Sequence, residues 1–203
     1  MKSLVLIGGG GHCRSCIDVI ESHGAYKIAG IIDNDSRKTD TNLNIPYLGT
    51  DEELARILVR YENALITVGQ IKSADNRKRL YNIIKTLDIN LPVIIANSSI
   101  VSKYSSICDG SIIMNGAFVN AGASVGRNVI INSMALIEHD VQIGDHCHIS
   151  TGARINGGVT IGDESFIGSG SIIHEGVSIG KNVVIGAGTV IAKNVDDAKI
   201  IRV

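Results

Sequence analysis

Every sixth residue from Ile95 through Val101, Ile107 and Ile113 to Ile191 is a β-branched aliphatic residue, seventeen positions without a break. Four residues after each comes a small or β-branched one, as in Ala117, Ala123, Val129, Ala135, Val141 and Cys147. A period of six fits neither the turn of an α-helix nor the alternation of an isolated strand. It marks a parallel β-helix, in which short strands joined by tight turns stack coil on coil and each hexad buries one large and one small side chain. Glycine or asparagine often follows the aliphatic position (Gly126, Asn132, Gly144, Asn156, Gly162, Gly168, Gly180, Gly186), which predicts corners of positive φ at those places.

Residues 1–92 read differently. Ser3–Ile7 is a buried strand, Gly8–Gly11 a turn and Cys13–Ser22 a helix; Lys27–Ile32 is a second strand ending at Asp33. Thr50 with Glu53 makes a capping box for a helix through Leu54, Ile57 and Leu58, Ala64–Val68 is a third strand, and Ala74–Leu87 a further helix. Strands alternating with helices predict a short parallel α/β sheet of Rossmann-like kind. The boundary falls at Asn90–Pro92, giving an α/β domain over 1–92 and a β-helix over 93–203.

Composition narrows the function. Nineteen Lys and Arg against twenty Asp and Glu leave no basic field for nucleic acid or an anionic membrane. The apolar start, Leu4–Ile7, is too short for a signal segment, and no run reaches the length of a membrane span, so a soluble cytoplasmic protein is expected. Four scattered cysteines then read as free thiols.

The glycine run ends a strand and opens a helix, so its free N–H groups lie at the positive end of a helix dipole, where phosphate binds. Cys13 stands where a dinucleotide fingerprint needs its third glycine, which argues against a dinucleotide. His12 adds a donor at the same mouth, and Asp33 lies where an acid would meet a ribose or base. Cys13-Arg14-Ser15-Cys16 has redox spacing, but the glycine turn occupies the approach such a motif needs. His146 and His148 point outward on either side of Cys147 without a third ligand nearby, so no metal is expected. In Glu138-His139-Asp140, His139 faces outward and Asp140 can hold its imidazole in one tautomer, the arrangement of a general base. The uncharged outward residues Ser111, Met114, Phe118, Ala121 and Met134 call for partner subunits, and a homotrimer is expected.

The hexad pattern resembles the left-handed hexapeptide-repeat acyltransferases, with three hexads per coil. Together with the Gly-Gly-Gly-Gly-His turn, Asp33 and Asn132-Ser133-x-x-x-Ile137-Glu138-His139, it is similar to the bacterial sugar acetyltransferases of the PglD and NeuD type. That resemblance implies an acetyl-CoA-dependent N-acetyltransferase of a nucleotide-linked amino sugar, of the bacillosamine, perosamine or legionaminic kind. It implies direct transfer, in a homotrimer whose acetyl-CoA sites lie between subunits. It implies His139 as base with Asp140 as its acid partner, where bacillosamine-type relatives carry Glu. It implies His148 against the thioester, the Gly157 amide on the thioester carbonyl, Ser169 and Ala187 along CoA, and Gly10, Gly11, His12, Asp33 and Asn34 on the nucleotide. An O-acetyltransferase of a sialic-type sugar and a non-catalytic or metal-binding β-helix are the competing readings; His148 and the Asp beside His139 favour the amine.

Overall fold

The computed structural model describes residues 1–35 and 44–202. Strand β1 (Lys2–Ile7) leads through the glycine turn into helix α1 (Gly11–His23), followed by β2 (Tyr26–Ile32), β3 (Tyr47–Gly49), α2 (Leu54–Leu58), β4 (Ala64–Ile66) and α3 (Asp75–Thr86). The four strands form a parallel sheet in the order β3-β2-β1-β4. Leu4–Ile7 are fully buried because helices or the β-helix cover both faces of β1, which is why the strand reads as a continuous apolar run. The Thr50 N–H donates to Glu53 Oε2 at 3.2 Å, and the turn it caps, Asp51–Glu53, is a 3₁₀ turn running into α2. The short strand β3, which follows Pro46, is absent from the sequence reading, and β4 ends at Ile66, two residues before the expected Val68.

From β5 (Ile94–Ile95) to β22 (Ile200–Ile201) the chain winds into a prism of two-residue strands in three parallel sheets of seven, five and six strands. Partners are eighteen residues apart, as in Ile113 with Ile131 and Ile131 with Ile149, so three hexads make one coil. Ile113, Val119, Val125 and their successors fill the axis together with the small residues Ala117, Ala123, Ala135 and Ala153. Where the small position is serine, the hydroxyl is satisfied within the stack: Ser111, Ser165 and Ser171 donate to the carbonyls of Gly126, Gly180 and Gly186 at 2.7–2.8 Å. Beyond Ile191 the coil shortens by two residues, since Ile179 pairs with Val195 and Ile185 with Ile201.

The corners correct one expectation. Positive φ falls three residues after the aliphatic position, at Gly110, Gly116, Gly122, Asn128, Met134, Asp140 and His146, and not one residue after it. Glycine immediately after the aliphatic residue answers a different need. A Cβ at Gly126 would lie 2.6 Å from the Gly144 carbonyl carbon, and one at Gly168 would lie 2.5 Å from the Ala187 nitrogen, so the next coil passes too close for any side chain.

The three prism faces differ in what they point outward. The seven-stranded face carries Ile94, Ile112 and Ile130, which pack beneath β1 and α1 in one cluster with Leu4, Leu6 and Ile17. The five-stranded face carries Ser106, Ser124, Gln142, Thr160 and Ser178, a polar surface. The six-stranded face carries Ile100, Phe118, Leu136, Arg154, Ile172 and Val190, and among the described residues no other element covers it. Of the five outward residues expected, Ser111 points inward and Met114 is buried under the N-terminal domain. Phe118, Ala121 and Met134 do face outward.

Candidate active site

A cavity of about 630 Å³ opens where the carboxyl ends of the N-terminal strands meet the prism. Ligands of open parallel sheets bind at such strand ends. Its lining brings together Gly10, Gly11, His12 and Asp33 with His148. Gly8, at φ 107°, allows the chain to turn out of β1, and a Cβ there would strike Val68 at 2.5 Å. Gly10 is the N-cap of α1 and no side chain caps that end, while the spaces where Cβ atoms of Gly10 and Gly11 would stand are empty. Open N–H groups at the helix terminus thus face the cavity. Asp33 Oδ2 accepts the Gly9 N–H at 2.7 Å and Oδ1 the Asp35 N–H at 2.8 Å, so the acid also holds the turn in shape. Asn34 stands apart from this lining: its Oδ1 accepts the Asp51 N–H at 2.9 Å.

His148 points away from the prism axis, as expected, yet it is 7% exposed because the N-terminal domain lies over it. Its Nδ1 donates to the Gln70 carbonyl at 2.6 Å, which leaves Nε2 to accept from Asn132 Nδ2 at 3.1 Å, and Phe166 stacks edge-on against the ring. Burial pushes its pKa down to about 4, and that of His12, whose Nε2 lies 3.4 Å from Cys16 Sγ, down to about 3. Both rings are neutral at physiological pH. His146 is also covered, between Tyr81 and Asn128, and burial lowers its pKa as well. Behind the cavity wall lies Arg77 of α3, 1% exposed. Cys13 and Cys16 are buried and burial raises both thiols, Cys13 to about 11, which is the reverse of a reactive pair. Among the described residues no three His, Cys, Asp or Glu side chains converge as metal ligands.

A second cluster occupies a different edge of the prism. His139 follows Ile137 out of the six-stranded face, and Asp140 takes the left-handed corner at φ 59°. The imidazole Nδ1 donates to Asp140 Oδ2 at 2.9 Å, so Nε2 is left with its lone pair, and the side chains are 63% and 72% exposed. That hydrogen bond raises the His139 pKa, with the charges of Asp140, Glu138 and Glu175 adding to it. Eighteen residues on, Gly157 lies beneath the ring: a Cβ there would stand 2.6 Å from Cε1 and Nε2. Gly157 therefore leaves room for the imidazole. His139, Asp140 and Gly157 thus gather at one edge, whereas His148 belongs to the cavity at the next.

Ser133 and Thr151, which line the cavity, stack at eighteen-residue spacing with Ser169 and Ala187. These make a column of small residues up the prism edge. Ser169 Oγ meets Ser150 Oγ at 2.8 Å, and the Cβ positions of Gly170 and Gly188 beside the column are open. Sequence reasoning missed the loop after β4, Thr67–Ile71, which forms one wall of the cavity. Its one local signal is Gly69, in Val68-Gly69-Gln70.

Residues 3–84 match the PglD N-terminal domain family, residues 122–157 the bacterial transferase hexapeptide family of six repeats, and residues 158–193 the hexapeptide repeat of succinyl-transferase. No curated protein sequence matches the chain. Among solved structures, the acetyltransferase domain of PglB from Neisseria gonorrhoeae, in complex with acetyl coenzyme A, is similar at 29% identity and a TM-score of 0.90, over 98% of this chain and 95% of that one. A mutant of the perosamine N-acetyltransferase from Caulobacter crescentus, in complex with CoA and GDP-perosamine, is similar at 28% identity and a TM-score of 0.91, over 98% of this chain and 93% of that one. WeeI from Acinetobacter baumannii, 18% identical with a TM-score of 0.80, shares the fold. The chain thus carries a PglD N-terminal domain followed by hexapeptide transferase repeats wound into a left-handed β-helix, and along its length it is similar to both of these sugar acetyltransferases.

Proposed function

We propose that this chain transfers an acetyl group from acetyl-CoA to the amino group of a nucleotide-linked amino sugar, directly and within one ternary complex. The observation that carries the reading is the exposed His139–Asp140 pair, 2.9 Å apart, with a free Nε2 above Gly157. Nε2 takes the proton from the sugar amine as the amine nitrogen attacks the thioester carbonyl carbon; the carbon–sulfur bond then breaks, the imidazolium passes that proton to the sulfur, and CoA leaves as its thiol. Asp140 holds the tautomer and stabilises the imidazolium that forms. The Gly157 N–H donates to the carbonyl oxygen as negative charge builds there. His148 stands against the thioester, and the open column of Ser169 and Ala187 accommodates the pantetheine chain. The phosphates sit on the N–H groups of Gly10, Gly11 and His12, with Asp33 and Asn34 toward the ribose and base. Cys13, Cys16 and Cys147 are buried, and burial raises the Cys147 thiol to about 12, so none of these three serves as nucleophile.

The reading includes a homotrimer. The uncovered six-stranded face, with Phe118, Leu136 and Ile172 along it, lies between the edge bearing His139 and the edge bearing the cavity. A complete site then joins the His139 edge of one copy to the cavity edge of its neighbour. Four unpaired cysteines accord with a reducing, cytoplasmic setting, and among the described residues no helix is long and apolar enough to cross a membrane.

The test is incubation with acetyl-CoA and a thiol reagent across a panel of nucleotide-linked amino sugars, with mass analysis of the product. Thiol release matched by one acetyl group on nitrogen is expected for at least one sugar. Acetylation of a hydroxyl, or no amine-dependent thiol release from any of them, would overturn the reading.

A further inference from the structure

Among the described residues, Arg77 is a buried cation without an anion. The guanidinium donates through one terminal nitrogen to the Ile66 and Val68 carbonyls at 3.0 and 2.7 Å, and through the other to the Asn128 carbonyl and side-chain oxygen at 2.9 and 2.5 Å; Nε has no partner. All four acceptors are neutral, and among the described residues no carboxylate lies within ion-pairing distance of it. A charge so placed is costly unless something negative answers it. The wall in front of it, Thr67 and Val68, lines the cavity, and its field reaches both cavity histidines, lowering each.

We propose that Arg77 is the electrostatic positioning residue for the diphosphate of the nucleotide sugar, the ligand supplying the counter-charge that the protein withholds. The inference rests on the cavity's assignment to that ligand. Arg77 touches no substrate atom; it acts through the cavity wall, and its hydrogen bond to Asn128 fastens the N-terminal domain to the prism at the same time. The exposed alternatives, Arg14 and Lys72, stand at the surface, where salt screens them.

Calorimetric titration with UDP, GDP and acetyl-CoA separates charge from architecture. Arg77→Met should weaken the bound nucleoside diphosphate at least about tenfold and leave acetyl-CoA within about twofold, and Arg77→Lys should recover most of the loss. Asn128→Ala, which removes the side-chain half of the fastening but keeps the backbone carbonyl and the charge, should lower the melting temperature and leave diphosphate affinity in place. In Arg77→Met the His12 and His148 rings should titrate at higher pH. A folded Arg77→Met with wild-type diphosphate affinity, or an Arg77→Lys as weak as Arg77→Met, overturns the proposal. Should Arg77→Met not fold, the wild type decides: a buried anchoring charge keeps diphosphate affinity within about threefold between 0.1 and 0.5 M salt, and a steep fall places the anchor on the surface. Wild-type protein that binds neither diphosphate removes the cavity's assignment itself, whereas normal binding by Arg77→Met removes only the role of Arg77.

Discussion

Gly157→Ala places one methyl group where the account leaves no room for it. The new Cβ would stand 2.6 Å from Nε2 and Cε1 of His139, against the 3.4 Å or more of an ordinary contact, so the ring must retreat by about 0.8 Å. Backbone strain is not the cause of any effect, because Gly157 is not among the residues of positive φ. The ring is exposed and yields, so the fold keeps its stability or gains about 0.4–1 kcal/mol from the stiffer unfolded chain. Displacing a catalytic group by about 1 Å costs on the order of 100-fold in turnover, and that is the loss expected here. Because the retreating ring also leaves Asp140, the His139 titration followed by NMR should move down toward its ordinary range. Steady-state kinetics, a melting curve and that titration together check the argument. Wild-type turnover with an unmoved His139 would refute it.

Asp140→Asn should move the acidic limb of the pH–rate profile to lower pH, because the carboxylate raises the His139 pKa and the base works only once deprotonated; turnover on the alkaline plateau should fall by less than in His139→Ala. The Cβ that Gly10→Val adds meets open space, so the fold should stand while KM for the nucleotide sugar rises strongly and acetyl-CoA affinity, read by calorimetry, stays unchanged. Ile172→Asp puts a charge on the uncovered six-stranded face and should give a monomer by sedimentation equilibrium, with turnover lost alongside.

The hexad period was legible because it has one solution: with eighteen residues per coil, each inward position is assigned by counting alone, and Ile113 to Ile191 all fall inside. His139 and Asp140 were legible for the same reason, since their place after an inward Ile137 puts them outside on a corner. The corners themselves misled. Their left-handed residues mix glycines such as Gly110, Gly116 and Gly122 with Met134, Asp140, His146 and Glu164, so glycine alone does not mark them, whereas the glycines that directly follow the aliphatic position answer the close passage of the next coil. The burial of His146, His148 and Arg77 had no local sign at all. Each is covered by docking between residues far apart in the chain, His148 by Gln70 and Arg77 by Asn128, and Arg77 sits in the charged run Asn76-Arg77-Lys78-Arg79 that reads as a solvated helix face. The cavity likewise arises from two domains meeting, so its glycine turn was visible in the sequence and its opposite wall, Asn132 and Thr151, was not recognised as such.

The most direct test of the account is complementation between two inactive variants, because it asks whether one site takes its base from one copy and its nucleotide cavity from another. His139→Ala lacks the base and Gly10→Val lacks the phosphate turn; each homotrimer should be inactive at low substrate. Co-expressed in equal amounts, random trimers should recover about one quarter of wild-type activity, since that share of the shared sites pairs an intact His139 with an intact Gly10. Mixed trimers that stay as inactive as either parent would contradict a site built across the subunit boundary.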